Sequence, residues 1–297
     1  PVLFRGLYRL GSAISSSERK SPVFYANSLL AKHLAAYLEE HPFDIVVTTH
    51  LFPAETMTYM KHHKMLGIPA VAVATDYTCI PFWEETDCDF YVIPHPDLAR
   101  EFEERGVPAE KLLPMGIPVS PRFSRRKEKQ EARRECGLPE EGLIYLVMSG
   151  SMGFGKVHLF ATMLEKQCGC GEHIVIICGH NVSMMKTLQR QFRGNSRVHI
   201  IGFTDKVADY MDACDVIFTK PGGLSSTEAA VKRIPIVHTS QIPGCETKNL
   251  EFFTSRGLSV AAHKIRDQVS CGTRLAREED KRKEMISAQG ETINPCT

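Results

Sequence analysis

Short apolar runs rich in valine and isoleucine alternate with longer segments of helical periodicity along most of the chain. Such alternation is typical of βα units, in which parallel strands form a sheet and the intervening helices cover its faces. The pattern therefore predicts an α/β fold. In the first half of the chain the predicted strands are 43–50, 69–76, 89–95 and 111–118, and the predicted helices are 23–41, about 54–66 and about 97–105.

The pattern restarts after a break in the middle of the chain. Residues 117–136 carry two prolines and then a run of charges, which predicts a linker followed by a solvated helix. Two Rossmann-like domains, residues 1–118 and 119–297, are expected to face each other across a cleft. The strands predicted in the second domain are 143–149, 173–179, 197–202, 215–220 and 234–239, with a sixth candidate at 257–262.

The two ends of the chain do not complete this pattern. Residues 1–20 do not have the pattern of a strand, so the N-terminal domain is predicted to lack its first strand and the loop after it. The last residues, ETINPCT, resemble the approach to another helix. We therefore expect a fragment with an incomplete N-terminal domain and a truncated final helix.

Composition narrows the function classes. The chain is 43% hydrophobic and 24% charged, which is typical of packed domains rather than of disorder. A formal net charge of +1 gives no support to a nucleic-acid-binding surface. No apolar run approaches the ~20 residues that span a bilayer, so a soluble or peripheral protein is expected. Ten cysteines without a C-x-x-C pair or a signal peptide favour a reducing, cytosolic compartment.

The loop after the first strand of the second domain reads SGSMGFGK. Its glycines at 150, 153 and 155 would let backbone N–H groups approach a phosphate at a helix N-terminus. The spacing up to Lys156 fits a P-loop, but Val157 stands where a P-loop carries the hydroxyl that holds magnesium. A nucleoside triphosphatase is therefore disfavoured, while a phosphate-binding loop and a tight turn without a ligand both stay open.

A second glycine loop reads TKPGGLSSTEAA at 219–230. Ser225 and Glu228 fit the capping box S/T-x-x-E, in which both side chains satisfy N–H groups at the start of a helix. That interpretation does not require Gly222 and Gly223, which are explained if a ligand comes within van der Waals contact of the backbone. Glu228 would then bind the two hydroxyls of a ribose. Both interpretations stay open on this stretch alone.

The neighbouring loops favour a ligand. A Pro-Gly pair ending at Gly244 again precedes a polar helix start, and Glu246 and Asn249 are spaced so that they share one face. Phe203 follows the third strand. Its backbone either contacts a nucleotide base or its side chain packs under the sheet, and the residues alone favour packing under the sheet. Successive loops with glycines, small hydroxyls and acceptors predict a polyhydroxylated ligand with a diphosphate, which is a nucleotide sugar.

The motifs TKPGGLSSTEA, PGCETKN and GSMGFGK resemble the C-terminal half of the monogalactosyldiacylglycerol synthases and processive diacylglycerol glucosyltransferases, relatives of the peptidoglycan-precursor N-acetylglucosaminyltransferase. DIVVTTHLFPAE, VATDYTCIPFWEE and GVPAEKLLPMGIPVSPRF extend the similarity over most of the chain. The resemblance implies a GT-B fold and an inverting hexose transfer from UDP-glucose or UDP-galactose to a diacylglycerol-type lipid, with no cofactor and no metal.

The resemblance also implies roles for particular residues. By position, Glu228 would hold the ribose, Phe203 would meet the uracil, and Glu246 and Asn249 would reach the sugar or the phosphate. The remaining members of the predicted nucleotide-sugar site, most of them around the diphosphate, are Ser149, Gly150, Ser151, Met152, Gly153, Gly179, Gly222, Gly223, Leu224, Ser225 and Gly244.

The general base implied by the resemblance is a histidine in a glycine-rich loop after the first N-terminal strand, and that loop is expected upstream of Pro1. His50 and Asp76, at the ends of two predicted strands, are the remaining candidates; each either supports its loop or takes part in proton transfer. The other major glycosyltransferase fold binds a metal through an Asp-x-Asp pair after a strand. Asp87 and Asp89 precede a strand, so no metal site is predicted there.

Two apolar features concern the acceptor. Residues 2–10 mix apolar side chains with Arg5 and Arg9, which predicts either a segment in an anionic membrane interface or a helix packed on its domain. Phe82 and Trp83, the only tryptophan, either border the acceptor entrance or fill a loop core. The resemblance places the protein on the cytoplasmic membrane face.

Other functions stay open at this point. The fold suits an N-acetylglucosamine transfer to a prenyl-linked peptidoglycan precursor, and a nucleotide-sugar-binding protein without turnover would carry the same loops. A magnesium-dependent phosphotransferase is the alternative that the P-loop-like spacing suggests. Glucose and galactose differ by a few hydroxyl contacts, and the sequence does not choose between them.

Overall fold

The computed structural model describes residues 20–148, 157–239 and 244–294. Its contacts divide the chain into two units, Pro1–Ile117 and Pro118–Thr297. Each unit has its own parallel sheet and its own helices. The α/β class predicted from the hydrophobic pattern, with one parallel sheet in each half of the chain, is therefore confirmed.

The sheet of the N-terminal unit has four parallel strands in the order β1-β2-β3-β4. All four predicted strands are present, each shorter than the apolar run that predicts it. The strands are β1 Val46–Thr48, β2 Ala70–Val73, β3 Phe90–Val92 and β4 Leu112–Leu113, and the helices are α1 Pro22–Ser28, α2 Ala31–Glu40, α3 Leu51–His62 and α4 Ala99–Glu104. Short 3-10 turns lie at Trp83–Glu85, Pro96–Leu98 and Ala109–Lys111.

The single helix predicted at 23–41 is two helices, α1 and α2. At the end of α1 the N–H groups of Leu29 and Leu30 bond to carbonyls three residues back, as in a 3-10 turn. The Asn27 side chain in the last turn of α1 donates to the buried carboxylate of Glu55 in α3. The periodicity did not predict this break between Ser28 and Ala31.

The sheet of the C-terminal unit has six parallel strands in the order β10-β9-β8-β5-β6-β7. All predicted strands of this half are present, including the sixth candidate. The strands are β5 Ile144–Met148, β6 His173–Ile177, β7 Val198–Ile201, β8 Val216–Thr219, β9 Ile236–His238 and β10 Val260–Ala261. The helices are α5 Pro121–Ser124, α6 Lys129–Glu135, α7 Val157–Gln167, α8 Val182–Gln191, α9 Val207–Ala213, α10 Gly223–Val231, α11 Cys245–Ser255, α12 Ile265–Arg277 and α13 Glu279–Thr292.

Helix α6 is solvated over most of its length, as its run of charges predicted, but it carries one buried charge. Arg133 in this helix is only 3% exposed. Its Nη2 lies 2.9 Å from Asp215 Oδ2, and its Nε donates to the Ala213 carbonyl. The run of charges did not predict the burial of Arg133, which is possible because a carboxylate and a carbonyl satisfy its N–H groups.

The strand order places β5, the first strand of the C-terminal unit, between β6 and β8. The chain therefore winds from β5 to β7 on one side of the sheet and from β8 to β10 on the other. In doubly wound sheets, ligands bind in the crevice outside the carboxyl ends of the two strands where the order reverses. In this protein that crevice lies at the ends of β5 and β8.

The core beneath this crevice joins β8 to two helices. Phe218 of β8 and Phe160 of α7 are fully buried and pack edge to face, with ring centroids 5.0 Å apart. On α12, Gly272 lies against the Phe218 ring, where a Cβ atom would overlap it. The strand that leads into the second glycine loop is thus held by close packing of its Phe218 ring against α7 and α12.

Candidate functional site

The crevice at β5 and β8 is the meeting point of the two glycine loops that the sequence predicts to bind a ligand. The strands are adjacent and parallel, with Met148 beside Thr219, so the two loops start next to each other. Lys220, Pro221 and Gly222 form the loop after β8 and lead into α10. The predicted residues of the loop after β5, namely Ser149, Gly150, Ser151, Met152 and Gly153, lie outside the described residues.

Helix α10 begins earlier than the capping box requires. Its first residue is Gly223 and its N-cap is Gly222, and within the described part of the chain no side chain caps it. The Ser226 N–H already bonds to the Gly222 carbonyl, so the first helical turn closes on the glycines. Ser225 therefore lies in the first turn and Glu228 in the second, and the capping-box interpretation is wrong.

Gly222 has neither a conformational nor a packing reason to be glycine within the described structure. Its φ of −80° and ψ of 139° are open to any residue. A Cβ atom built on Gly222 would meet no atom of the described residues within 4 Å. The backbone therefore borders open space at the topological switch point, as a ligand in contact with this loop would require.

Glu228 is the acidic residue that α10 adds to this region. Burial raises the pKa of its carboxyl to about 7. Among the described residues, no side-chain partner of this carboxyl is found that would offset its burial. Leu224 is 51% exposed and Ser225 is partly exposed on the first turn. At pH 7, therefore, about half of the Glu228 carboxyl groups are protonated. Glu228 lies one turn beyond the accessible residues Leu224 and Ser225.

Helix α11 brings two predicted residues against the same loop. Glu246 Oε1 lies 2.6 Å from Lys220 Nζ, and Asn249 Nδ2 donates to the Pro221 carbonyl at 3.1 Å. They lie on one face of the helix, as their spacing predicted, and both side chains are buried. Lys220 was missed by sequence reasoning, although its place directly after an apolar strand is the signal that marked the other loop residues. Gly244, the N-cap of α11, has a φ of 124°, which only glycine adopts readily.

Phe203 does not pack under the sheet as the residues alone favoured. Its side chain is 68% exposed and stacks on the His180 ring, with centroids 4.3 Å apart and planes 21° apart. Gly179, with φ of 54°, precedes His180 in the loop after β6. With strands about 4.8 Å apart, the end of β7 lies about 14 Å from the end of β8. That span suits an extended nucleoside diphosphate.

A cavity of about 340 Å³ lies in the N-terminal unit at the carboxyl ends of β1 and β2. It brings together four of the predicted residues, His50, Asp76, Phe82 and Trp83. Trp83 is 3% exposed and Phe82 is 6% exposed, so both fill the loop core and line the cavity at once. The other apolar residues that line it are Val23, Leu51, Phe52, Ile80 and Pro81.

His50 is fixed as the N-cap of α3. Its Nδ1 accepts a hydrogen bond from the Phe52 N–H at 3.2 Å. In the neutral ring an accepting Nδ1 leaves the proton on Nε2, which is then a hydrogen-bond donor. This geometry disfavours His50 as a general base. Asp76, the other candidate, lines the same cavity.

Asp87 and Asp89, the pair from which no metal site was predicted, each contact a lysine. Lys61 Nζ lies 2.8 Å from Asp89 Oδ1, and Lys111 Nζ lies 2.6 Å from Asp87 Oδ1. Lysine neighbours hold the pKa of each carboxyl below its usual range. No group of three or more potential metal ligands is found among the residues that the structure describes.

The predicted interfacial segment at residues 2–10 lies outside the described residues. In the rest of the chain, as far as it is described, no helix has the length and apolar character to cross a membrane. The described cysteines, which include Cys168 and Cys170, are free thiols.

The two parallel sheets, each with its own helices, fit the GT-B class of α/β proteins, and solved structures of this class match the chain. MurG of Acinetobacter baumannii matches with a TM-score of 0.61 at 14% identity, over 91% of this chain and 75% of that protein. Anabaena Alr3699/HepE, solved with UDP-glucose, matches with a TM-score of 0.59 at 14% identity, over 88% and 76%.

Sequence comparison gives the more specific relationship. Residues 2–119 match the family model of monogalactosyldiacylglycerol (MGDG) synthase. A processive diacylglycerol beta-glucosyltransferase of Staphylococcus carnosus is 28% identical over 268 residues, which are 90% of this chain and 67% of the relative. The chain thus spans about two thirds of that relative's length. The resemblance predicted from the motifs is confirmed, because the chain is similar in sequence to these enzymes over most of its length.

Proposed function

We propose that this chain binds a UDP-sugar in its C-terminal unit and transfers the hexose, with inversion, to the hydroxyl of a diacylglycerol-type lipid held by its N-terminal unit. In this reaction the bond between the anomeric carbon and the β-phosphate oxygen breaks, and its electron pair stays on UDP. The acceptor oxygen bonds to the anomeric carbon while its proton passes to a base. The names of the curated relatives support the lipid acceptor.

The observation that carries the donor site is the open space beside Gly222 at the switch point of the sheet. A diphosphate there accepts hydrogen bonds from the first N–H groups of α10 and benefits from its dipole. Glu228 lies five positions after Gly223, so its Cα atom is about 7.5 Å further along the helix axis. That distance suits the ribose next to the diphosphate, with the uracil toward Phe203.

Calorimetric titration with UDP tests the donor site. Binding is expected in the micromolar range or tighter, with the same affinity in EDTA, because the backbone and side chains of the loop replace a metal. Magnesium-dependent ATP binding without affinity for UDP would overturn the proposal and favour a phosphotransferase. Binding of UDP-sugars without any glycolipid product would instead indicate a binding protein without turnover.

The acceptor proposal rests on the apolar cavity at the ends of β1 and β2. Apolar surface that is removed from water on lipid binding contributes about 25 cal/mol per Å². Trp83 is buried in its wall and Asp76 lines the same space, so an acyl chain and an acceptor hydroxyl can lie side by side. A lipid substrate places the reaction at a membrane surface, which we propose is the cytoplasmic face.

Fluorescence of Trp83, the only tryptophan, reports on this cavity. Diacylglycerol in detergent micelles is expected to change the intensity and wavelength of its emission beyond the effect of empty micelles. Val23→Phe places a larger side chain in the cavity wall and so reduces the space inside. It is expected to remove at least about half of the fluorescence change, because side-chain packing leaves little spare volume. Leu29→Phe, at a position 77% exposed, is the matched control and leaves it unchanged.

An identical response of the Val23→Phe variant would show that the lipid does not enter the cavity. A prenyl-linked sugar acceptor offered in the same micelles separates the two acceptor classes. A larger fluorescence change with that compound, together with transfer from UDP-N-acetylglucosamine, would favour the peptidoglycan-precursor alternative.

A further inference from the structure

The loop after β8 holds one cation that the proposed donor site has not used, Lys220. It is the first residue after the strand, and the Gly222 N–H bonds to its carbonyl at 2.8 Å. Its side chain therefore starts beside the open space at Gly222, at the switch point of the sheet. About 29% of the side chain is exposed, so solvent and solutes reach it.

The ammonium of Lys220 is directed by a partner on another helix. Glu246 Oε1 accepts from its Nζ at 2.6 Å, and the Glu246 side chain is 8% exposed. Asn249, one turn further along α11, donates to the Pro221 carbonyl at 3.1 Å. Two contacts from one helical face thus fix both the loop backbone and the direction of the lysine side chain.

An ammonium has three N–H donors, and a single carboxylate oxygen uses one of them. A diphosphate is a multiply charged anion whose oxygens accept such hydrogen bonds, and charge-assisted bonds are about twice as strong as neutral ones. The backbone N–H groups of the loop supply partial charges only, whereas Lys220 supplies a full positive charge. In the absence of a ligand, the negative charge of Glu246 balances the positive charge of the partly buried Lys220 ammonium.

We propose that Lys220 binds the β-phosphate of the donor and that Glu246 positions it. This inference rests on the proposed function, because it assigns a residue within the UDP-sugar site. It predicts that Lys220 contributes to the difference in affinity between UDP and UMP. It contributes nothing to the affinity for uridine.

A ladder of uridine, UMP and UDP tests this role by calorimetry at constant ionic strength. In the unchanged protein the affinity should increase from UMP to UDP. Lys220→Met is expected to lower UDP affinity about 10-fold, the cost of one charge-assisted hydrogen bond, and to leave uridine affinity within about twofold. Lys248→Met, on the exposed side of α11, is the matched control and should leave the ladder unchanged.

Lys220→Met leaves the buried Glu246 carboxylate without its lysine, which can lower stability. The double variant Lys220→Met with Glu246→Gln removes both charges, and it should show the same loss of the UDP-over-UMP preference. A UDP-to-UMP affinity ratio equal to that of the unchanged protein in the folded double variant would overturn the role of Lys220. Failure of the unchanged protein to bind UDP would overturn the proposed function as well.

Discussion

Replacing Glu228 with alanine is expected to weaken UDP binding about 10- to 100-fold, because ionised carboxylates contribute roughly 1.5–3 kcal/mol through hydrogen bonds to ligand hydroxyls. Glu228 lies in the second turn of α10 and does not cap the helix. The loss should therefore occur without unfolding. Calorimetry with UDP and with uridine should show the same fold-change, because the contact is to the ribose.

The pH dependence of binding provides a second test of Glu228. Burial raises the pKa of this carboxyl to about 7, so its ionised fraction rises from about a tenth at pH 6 to about nine tenths at pH 8. The ionised form accepts from both ribose hydroxyls. Uridine affinity should increase over this range in the unchanged protein and stay flat in Glu228→Gln.

The same carboxyl also affects folding stability. Its pKa in the folded state lies above the ordinary 4.5, so its contribution to stability is fully present below pH 4.5 and is lost as the pH rises toward 7. Glu228→Gln should remove that decrease.

Ser225→Ala is the control for the rejected capping role and should change the free energy of unfolding by less than about 0.5 kcal/mol. Unchanged uridine affinity in Glu228→Ala would contradict the ribose contact.

Replacing His238 with alanine is expected to lower the free energy of unfolding by about 3–5 kcal/mol, from two lost hydrogen bonds and a cavity. The ring is fully buried at the end of β9. Its Nε2 lies 2.9 Å from Ser226 Oγ of α10, and its Nδ1 lies 2.9 Å from Ser259 Oγ beside β10. Alanine leaves both hydroxyls without this partner. Urea unfolding at pH 7 measures the loss.

Burial lowers the pKa of His238 to about 3, so the ring is neutral in the folded protein. The unfolded chain takes up a proton below pH 6.5 and the folded one does not. The stability advantage of the unchanged protein over His238→Ala should therefore be largest above pH 6.5 and shrink as the pH falls toward 3. His263→Ala, at an exposed position, is the control. A loss below about 1 kcal/mol would show that the hydrogen bonds are not needed.

The fold was largely predictable because the signals for it are local. Every predicted strand is present, since a buried parallel strand requires a continuous apolar run whatever its neighbours are. The loops at the strand ends were also predictable from local signals, because glycines and polar residues directly follow the apolar runs. The start of α10 was not, because a serine with a glutamate three residues later has the same spacing inside a helix as at its N-cap.

The sequence by itself determined the two series of βα units, the glycines that border the switch point and the acidic residues of α10 and α11. Only the tertiary structure decided what their side chains contact. Lys220 and Glu246 are 26 residues apart, and Arg133 and Asp215 are 82 apart. His238 meets serines from two other elements. Hydrophobic period and turn chemistry act between near neighbours, whereas these pairs form only when the packing of whole elements brings them together.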